Sequence, residues 1–455
     1  MDEKNNGAVK DLTVGEPAKL IFYFTLPLLA GNVFQQLFGF VDTLIVGRFL
    51  GVEALAAVGC TGSLMFLMLG FVMGATSGFS IYTGQRFGAK DYDGIRYSVV
   101  VCMVLAVVMS IILGIIGVLY CRDLLEFMDT PPEIIDGAYS FIVIIYGGIA
   151  GFMLIQMQTN LVRALGDSKM PTIIQAMTLC INIALEPVAI ILLDLGIPGA
   201  AGATIVSLII GNIICYIYIR KKIPLLHTRK EDWHLDKKIV WEHLKIGLPM
   251  GFQSSIIAIG AVILQIALNG LGPIAVASFA ASQRVDAIAV MPMMSFGVAI
   301  AAYTAQNFGA QKFERIHDGV KKTIWMSCSF SLVAAAFNIF FGADIIKLFV
   351  GEGQQQIIEY GQLFLTVNGL AYWIMALMFV FRFTLQGLGQ ALIPTFAGAV
   401  ELVMRIIAAV VLVEYWGYLG ACLAAPMAWI GATIPMGVAF YITHKKMKNL
   451  YTEDD

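Results

Sequence analysis

A chain of 455 residues that is 59% apolar and only 13% charged, with a mean hydropathy of +0.81, is not an ordinary soluble domain; such domains carry about a quarter charged residues. The formal net charge of −2 singles out no charged partner, and no nucleic acid is expected as one. The charges are clustered and leave long uncharged runs, which predicts an all-α integral membrane protein embedded in a lipid bilayer.

The first residues, 1–19, are polar and of mixed charge, with no cleavable signal pattern. A helix needs about 20 apolar residues to cross the hydrocarbon core. Spans are predicted near 20–44, 52–78, 96–119, 137–159, 170–192, 197–219, 245–268, 273–300, 321–342, 358–381, 391–413 and 418–442, twelve in all. The uncharged run 246–283 holds Gly270, Gly272 and Pro273 in its middle and therefore reads as parts of two spans. Lys and Arg collect in the loops after even-numbered spans and at the termini. The largest group is Arg220, Lys221, Lys222, Arg229, Lys230, Lys237, Lys238 and Lys245, whereas the opposite loops carry only Arg48, Arg122 and Lys347. The positive-inside rule then puts both termini in the cytoplasm of a multi-pass protein of the plasma (inner) membrane.

The chain repeats itself. Residues 82–89 read Tyr-Thr-Gly-Gln-Arg-Phe-Gly-Ala and residues 303–310 read Tyr-Thr-Ala-Gln-Asn-Phe-Gly-Ala, six of eight positions agreeing at an offset of 221. Leu26-Pro27 is matched by Leu248-Pro249, and Leu165-Gly166 with Pro171 by Leu388-Gly389 with Pro394. The expected organisation is an N-terminal segment 1–19, an N-lobe of six helices at 20–219, a cytoplasmic linker at 220–244, a C-lobe of six helices at 245–442 and a tail at 443–455. Two like-oriented lobes enclosing a cavity are the architecture of an alternating-access transporter.

Seven cysteines lie singly, with no CxxC, so no disulfide framework is implied. The histidines, His227, His234, His243, His317 and His444, fall in cytoplasmic loops or at span ends, so no intramembrane His metal site is expected. There is no HExxH, no G-x-S-x-G and no P-loop, which argues against an enzyme and against an ATP-driven pump. No cofactor is expected.

Ionisable groups within spans are costly, about 2.5–3.5 kcal/mol each on insertion scales, and mark function. In the C-lobe, Glu401 and Arg405 are spaced i, i+4 and can pair on one helix face, while Arg284 and Asp286 are spaced i, i+2 and need partners on other helices. Self-compensating salt bridges are the simplest reading of that lobe. The N-lobe differs: Asp42 and Glu186 have no Lys or Arg within its spans, the nearest being Arg48 and Arg163 at span ends. Asn182 lies one turn before Glu186 on the same face, and Gln35, Gln36, Asn160 and Thr204 add uncharged oxygens. Two carboxylates without a fixed cation bind a proton or a hard cation such as sodium, placing a proton or sodium site at Asp42 and Glu186. Pro27, Pro187 and Pro292 are candidate hinges. Gln35, Gln36, Gln283, Arg284, Asp286, Met291, Tyr372, Glu401 and Arg405 are candidates for the substrate cavity or its gate.

The run Leu26-Pro27, Gln35-Gln36-Leu37-Phe38, Val41-Asp42-Thr43, Val46-Gly47-Arg48 and Ala54 to Gly59 resembles the opening of the MATE family (multidrug and toxic compound extrusion). Gly84 to Ala89, Arg163 to Asp167 with Pro171, and Asn182 with Glu186-Pro187 extend the resemblance over nearly the whole chain. The resemblance implies a two-lobed, twelve-helix exporter driven by a proton or sodium gradient, with its N-lobe site at Asp42, Asn160, Asn182, Glu186 and Thr204. Glu186 departs from the family's usual Asp. Helix 7 offers only Gln253 and Gln265 where some branches carry a coupling Glu, so the chain resembles the branch that couples through the N-lobe. The expected function is a monomeric antiporter exporting amphipathic, often cationic small organic molecules in exchange for protons or sodium. The alternatives are a lipid-linked-precursor flippase of related fold, which needs a cationic cavity, and an intramembrane enzyme.

Overall fold

A computed structural model describes residues 9–128, 130–351 and 353–452 of the chain; of the expected terminal segments 1–19 and 443–455, residues 1–8 and 453–455 lie outside the described residues. The elements are α1 (Pro17–Cys60), α2 (Gly62–Gly88), α3 (Tyr92–Phe127), α4 (Pro132–Gly147), α5 (Ile149–Ala164), α6 (Lys169–Pro187), α7 (Gly196–Lys222), α8 (Lys237–Gly270), α9 (Pro273–Gly309), α10 (Phe313–Val350), α11 (Gln355–Gly387), α12 (Leu392–Ile407), α13 (Val413–Trp416) and α14 (Tyr418–Thr452). Helix is what a chain this apolar must form in lipid, because only there are its backbone N–H and C=O groups satisfied within one segment. Eleven helical segments among the described residues are long and apolar enough to cross a membrane, and α4 with α5, bent by 46° at their break, completes twelve.

The repeat is written in the backbone as well as in the sequence. Left-handed φ values recur at matched positions: Gly51 at 87° and Gly272 at 95°, Lys90 and Gln311 both at 58°, Gly166 at 90° and Gly389 at 81°, Gly196 at 59° and Gly417 at 54°. Each marks the end or kink of a helix, where positive φ costs glycine little. A π-helical turn also recurs, at Val188–Leu192 after α6 and at Ala408–Leu412 after α12.

Two compact units emerge. One joins the described residues up to Asp11 with Ala30–Gly251; the other joins Leu12–Leu29 with the described residues from Phe252 onward. The division differs from the one expected at 220–244. Both α1 and α8, the first helices of the two repeats, change unit part-way, close after Pro27 and Pro249 respectively.

In the first unit, Phe79, Ile95, Val101, Met153, Met157 and Leu161 form the centre of one apolar core. A second core gathers around Leu125, Ile142, Ile145 and Ala201. The segment expected as a linker is part of this unit. Ile223 and Leu226 are buried in its first core, Asp232 pairs with Arg96 at 3.6 Å, and the Asp236 N–H donates to the Tyr97 hydroxyl. Where α2 meets α8 the backbones touch: a Cβ on Gly78 would lie 2.5 Å from Gly247 Cα, and one on Gly247 would lie 2.2 Å from the Phe79 ring. One turn earlier, His243, which the sequence places in a cytoplasmic loop or at a span end, is fully buried. Its Nδ1 bonds the Ile239 carbonyl and its Nε2 the Ser98 hydroxyl, both at 2.8 Å, and Thr83 continues the chain at 2.7 Å from Ser98.

In the second unit, Leu12, Leu20, Ile21, Phe24 and Leu28 pack with Phe296, Ile300, Tyr303 and Ile316. The strap before α1 is held by the second copy of the repeated motif. The Leu12 N–H donates to Gln306 Oε1 at 2.8 Å, Asn307 Nδ2 donates to the Leu12 carbonyl at 3.2 Å, and Arg315 donates to the Gly15 carbonyl at 3.0 Å. The motif Tyr-Thr-x-Gln-x-Phe-Gly-Ala therefore ends α2 and α9 alike. In the first unit its tyrosine, Tyr82, lies 4.6 Å from the His243 ring of α8, the two rings tilted by 48°.

Candidate functional site

In the first unit, α1 and α6 bring the carboxyl groups of Asp42 and Glu186 close enough to act on one another, with no direct hydrogen bond between them. Glu186 is fully buried, and neither of its oxygens meets a hydrogen-bond donor among the described residues. Glu186 sits at the last turn of α6, where Pro187 and the π-helical turn after it break the regular ladder. Such turns leave slack in the backbone and are frequent at functional sites.

Asn182 stands one turn below Glu186 on the same face of α6. Its Nδ2 donates to Thr204 Oγ1 at 3.2 Å, and the Thr204 hydroxyl is itself spent on the Ala200 carbonyl at 3.2 Å. This fixes the amide and leaves Asn182 Oδ1 buried with no partner among the described residues. The donor set is therefore two carboxylates and one orphaned amide oxygen, all oxygen and, among the described residues, not paired with any Lys or Arg. That chemistry fits a proton shared between carboxyls or a hard cation such as sodium. No group of three or more His, Cys, Asp or Glu of the kind that holds a transition metal occurs among the described residues.

Asn160 is placed elsewhere. Its Nδ2 donates to Thr76 Oγ1 at 3.1 Å and its Oδ1 accepts from Arg163 Nη1 at 3.3 Å, so both ends of the amide are engaged. Arg163 lies in the last turn of α5, at a span end as expected, and also donates to Gln175 Oε1 at 3.1 Å; Gln175 in turn donates to Gln156 at 3.2 Å. Beside this network is a cavity of about 810 Å³, including its open mouth, lined by Phe34, Gln35, Gln156, Gln175, Phe152 and Met73 among others. Gln35 is thus on a cavity wall. It lies two turns from Asp42 on the same face of α1. Gln36 is exposed and does not line the cavity.

The second unit corrects the expected pairing. Glu401 does not pair with Arg405 four residues on; its carboxylate takes the Arg382 guanidinium of α11 in a buried ion pair. The spacing i, i+4 fixed a shared face, but α11 presents a cation to that face first. Asp286 accepts from the Tyr372 hydroxyl at 2.5 Å, which accepts from Asn338 at 2.9 Å. Tyr372 is fully buried among Met375, Ala376 and Trp429 rather than open to a cavity, and Met291 and Pro292 are buried as well. Gln283 and Arg284 are exposed. Pro27 lies inside α1 and Pro292 inside α9, both without a break in the assigned helix at the proline.

Known proteins carry the same pattern. The MatE family model matches residues 27–188 and 249–411, one stretch in each repeat. Probable multidrug resistance protein YoeA of Bacillus subtilis is 30% identical over 379 residues, covering 82% of this chain and 81% of the relative. Probable multidrug resistance protein NorM of Thermotoga maritima is 25% identical over 433 residues, covering 92% and 89%. A crystal structure titled as the outward-facing conformation of a multidrug resistance MATE family transporter of the MOP superfamily shares the fold. It has a TM-score of 0.88 at 21% identity, covering 98% of this chain and 100% of that one. With the family's signature in both repeats, twelve apolar spans and a shared fold, the chain belongs to the MATE family and is a multi-pass membrane transporter, not an enzyme.

Proposed function

We propose that this transporter is a secondary antiporter that exports amphipathic, often cationic organic compounds in exchange for protons or sodium by alternating access. The observation that carries the reading is the Asp42 and Glu186 pair: two neighbouring carboxyls, one fully buried, with no donor and no fixed cation among the described residues on either Glu186 oxygen. Two like charges about 4 Å apart repel by about 4 kcal/mol at an effective dielectric of 20. A mobile cation removes that repulsion, so α1 and α6 hold together when it is bound and are pushed apart when it leaves. Pro187 and the π-helical turn give α6 the freedom to follow. Asn182 Oδ1, aimed by Thr204, adds a neutral ligand or a hydrogen-bond acceptor for the bound cation.

The substrate side of the cycle rests on the cavity in the same unit. Its aromatic and thioether walls suit an apolar body, and its glutamine amides suit the polar tip of an amphipathic compound. Gln35 lies on α1, the helix that carries Asp42, so movement of α1 on cation release also reshapes the cavity wall. The same reading takes the protein to be a monomer of the plasma membrane with both termini in the cytoplasm.

The test is transport in proteoliposomes, with dye efflux measured under a proton gradient and, separately, under a sodium gradient. Asp42→Asn is expected to abolish gradient-driven efflux while folded protein remains in the membrane. Efflux by Asp42→Asn at the unsubstituted rate rejects the assignment.

A further inference from the structure

We propose that the second unit carries a binding site for the oxyanion of an organic ligand, a carboxylate or a phosphate, at the cluster formed by buried Arg382 and Glu401 with half-buried Arg405. Arg382 and Glu401 are bonded to each other with side chains 7% and 3% exposed, and Arg405 lies one helical turn from Glu401. The charged groups acting on Arg405 are Glu401 and Arg382. Two guanidinium groups therefore share one carboxylate, and the cluster keeps one positive charge in excess. Asp286 is not among the charged groups acting on Arg405, and its carboxylate accepts from the Tyr372 hydroxyl instead.

The excess charge comes with unused donors. Nε of Arg382 and Nε of Arg405 are both buried and have no hydrogen-bond partner among the described residues. Such groups cost free energy unless something accepts from them. A planar oxyanion accepts from the fork of a guanidinium with two parallel bonds, a match that a spherical ion cannot make. The surroundings hold the guanidinium groups in place. Arg382 packs over the Phe379 ring at 5.9 Å and donates to Met378 Sδ at 3.6 Å. Gly260 of α8 makes room for Arg405, since a Cβ there would lie 2.8 Å from Arg405 Cδ.

The internal repeat sharpens the reading. Counting from Pro171-Thr172 and Pro394-Thr395, Arg405 occupies the position of Asn182 and Glu401 that of Thr178. The same turn of the same helix thus faces two uncompensated carboxyls in the first repeat and carries an uncompensated guanidinium in the second. The charge left over at this turn has opposite signs in the two repeats.

Full-length protein in neutral detergent, at constant ionic strength set with sodium chloride, is titrated with benzoate, phenyl phosphate and neutral benzyl alcohol, and its thermal midpoint is followed. Benzoate or phenyl phosphate is expected to raise the midpoint in a saturable way that benzyl alcohol does not reproduce. Arg405→Gln is expected to weaken the response roughly tenfold or more, the loss of one charge-assisted hydrogen-bonded contact. Arg405→Lys, which keeps the charge but not the fork, is expected to bind several-fold more weakly and guards against a Gln variant that does not fold. Arg122→Gln, on the surface of the first unit beside Glu126 and Asp136, is expected to respond as the unsubstituted protein does. A parallel arm adds phosphatidylglycerol or phosphatidylcholine in mixed micelles. A response to phosphatidylglycerol that depends on Arg405 assigns a lipid headgroup, and a response to benzoate alone assigns a soluble carboxylate. Equal stabilisation by benzyl alcohol, or undiminished binding by both Arg405 variants, overturns the site. No gradient is applied, so failure here leaves the coupling proposal intact, and failure of Asp42→Asn to block transport leaves this site intact.

Discussion

Replacing Glu401 by Gln removes the only carboxylate from the cluster and keeps its size. Arg382 and Glu401 are almost wholly shielded from water, so solvent screening does little for the charge left behind. Breaking one side of a buried ion pair costs about 3–5 kcal/mol. With an unfolding entropy of about 2.1 cal/mol/K per residue, a chain of 455 residues loses roughly 1 °C per kcal/mol. Glu401→Gln is therefore expected to melt about 3–5 °C lower if the chain unfolds as one, and about twice that if the second unit melts alone. The double variant Glu401→Gln with Arg382→Met removes one charge of each sign and restores the net charge of the cluster to its original value. It is expected to recover most of the loss, since replacing a whole buried pair is often close to neutral. The assay is thermal unfolding in detergent, followed by intrinsic fluorescence, on all three proteins. A single variant that melts within 1 °C of the unsubstituted protein, or a double variant no better than the single, refutes the reasoning.

Other outcomes follow from close contacts. Gly78→Ala puts a methyl group 2.5 Å from Gly247 Cα, a backbone atom that cannot swing aside, so α2 and α8 must separate. Overpacking of this kind costs about 1–3 kcal/mol, read as a lower thermal midpoint and a smaller monodisperse peak on gel filtration. His243→Phe keeps an aromatic ring but removes one of the two partners of the buried Ser98 hydroxyl, Thr83 being the other, with an expected loss of about 1–3 kcal/mol; adding Ser98→Ala should recover part of it, and an unchanged midpoint for His243→Phe would show that this bond contributes nothing.

The membrane class, the number of spans and the duplication were all legible in the residues. Hydrocarbon demands about 20 apolar residues per span and internal satisfaction of every backbone group, and both demands are local. The break at Gly272 could be read too, because Gly270, Gly272 and Pro273 interrupt an uncharged run too long for one span. The candidate pair of Asp42 and Glu186 stood out because an acid in a span is costly wherever it is. What the sequence could not decide was who meets whom. Spacing put Glu401 and Arg405 on one face, yet the partner turned out to be Arg382, nineteen residues away on α11. Asn160, grouped with the carboxylates by resemblance, gives both ends of its amide to Thr76 and Arg163. His243, placed by the sequence in a loop or at a span end, is sealed under Ser98 and Tyr82. Helical spacing names the face a side chain shares; only the packing of one helix on another says which charge or hydroxyl is waiting on the far side.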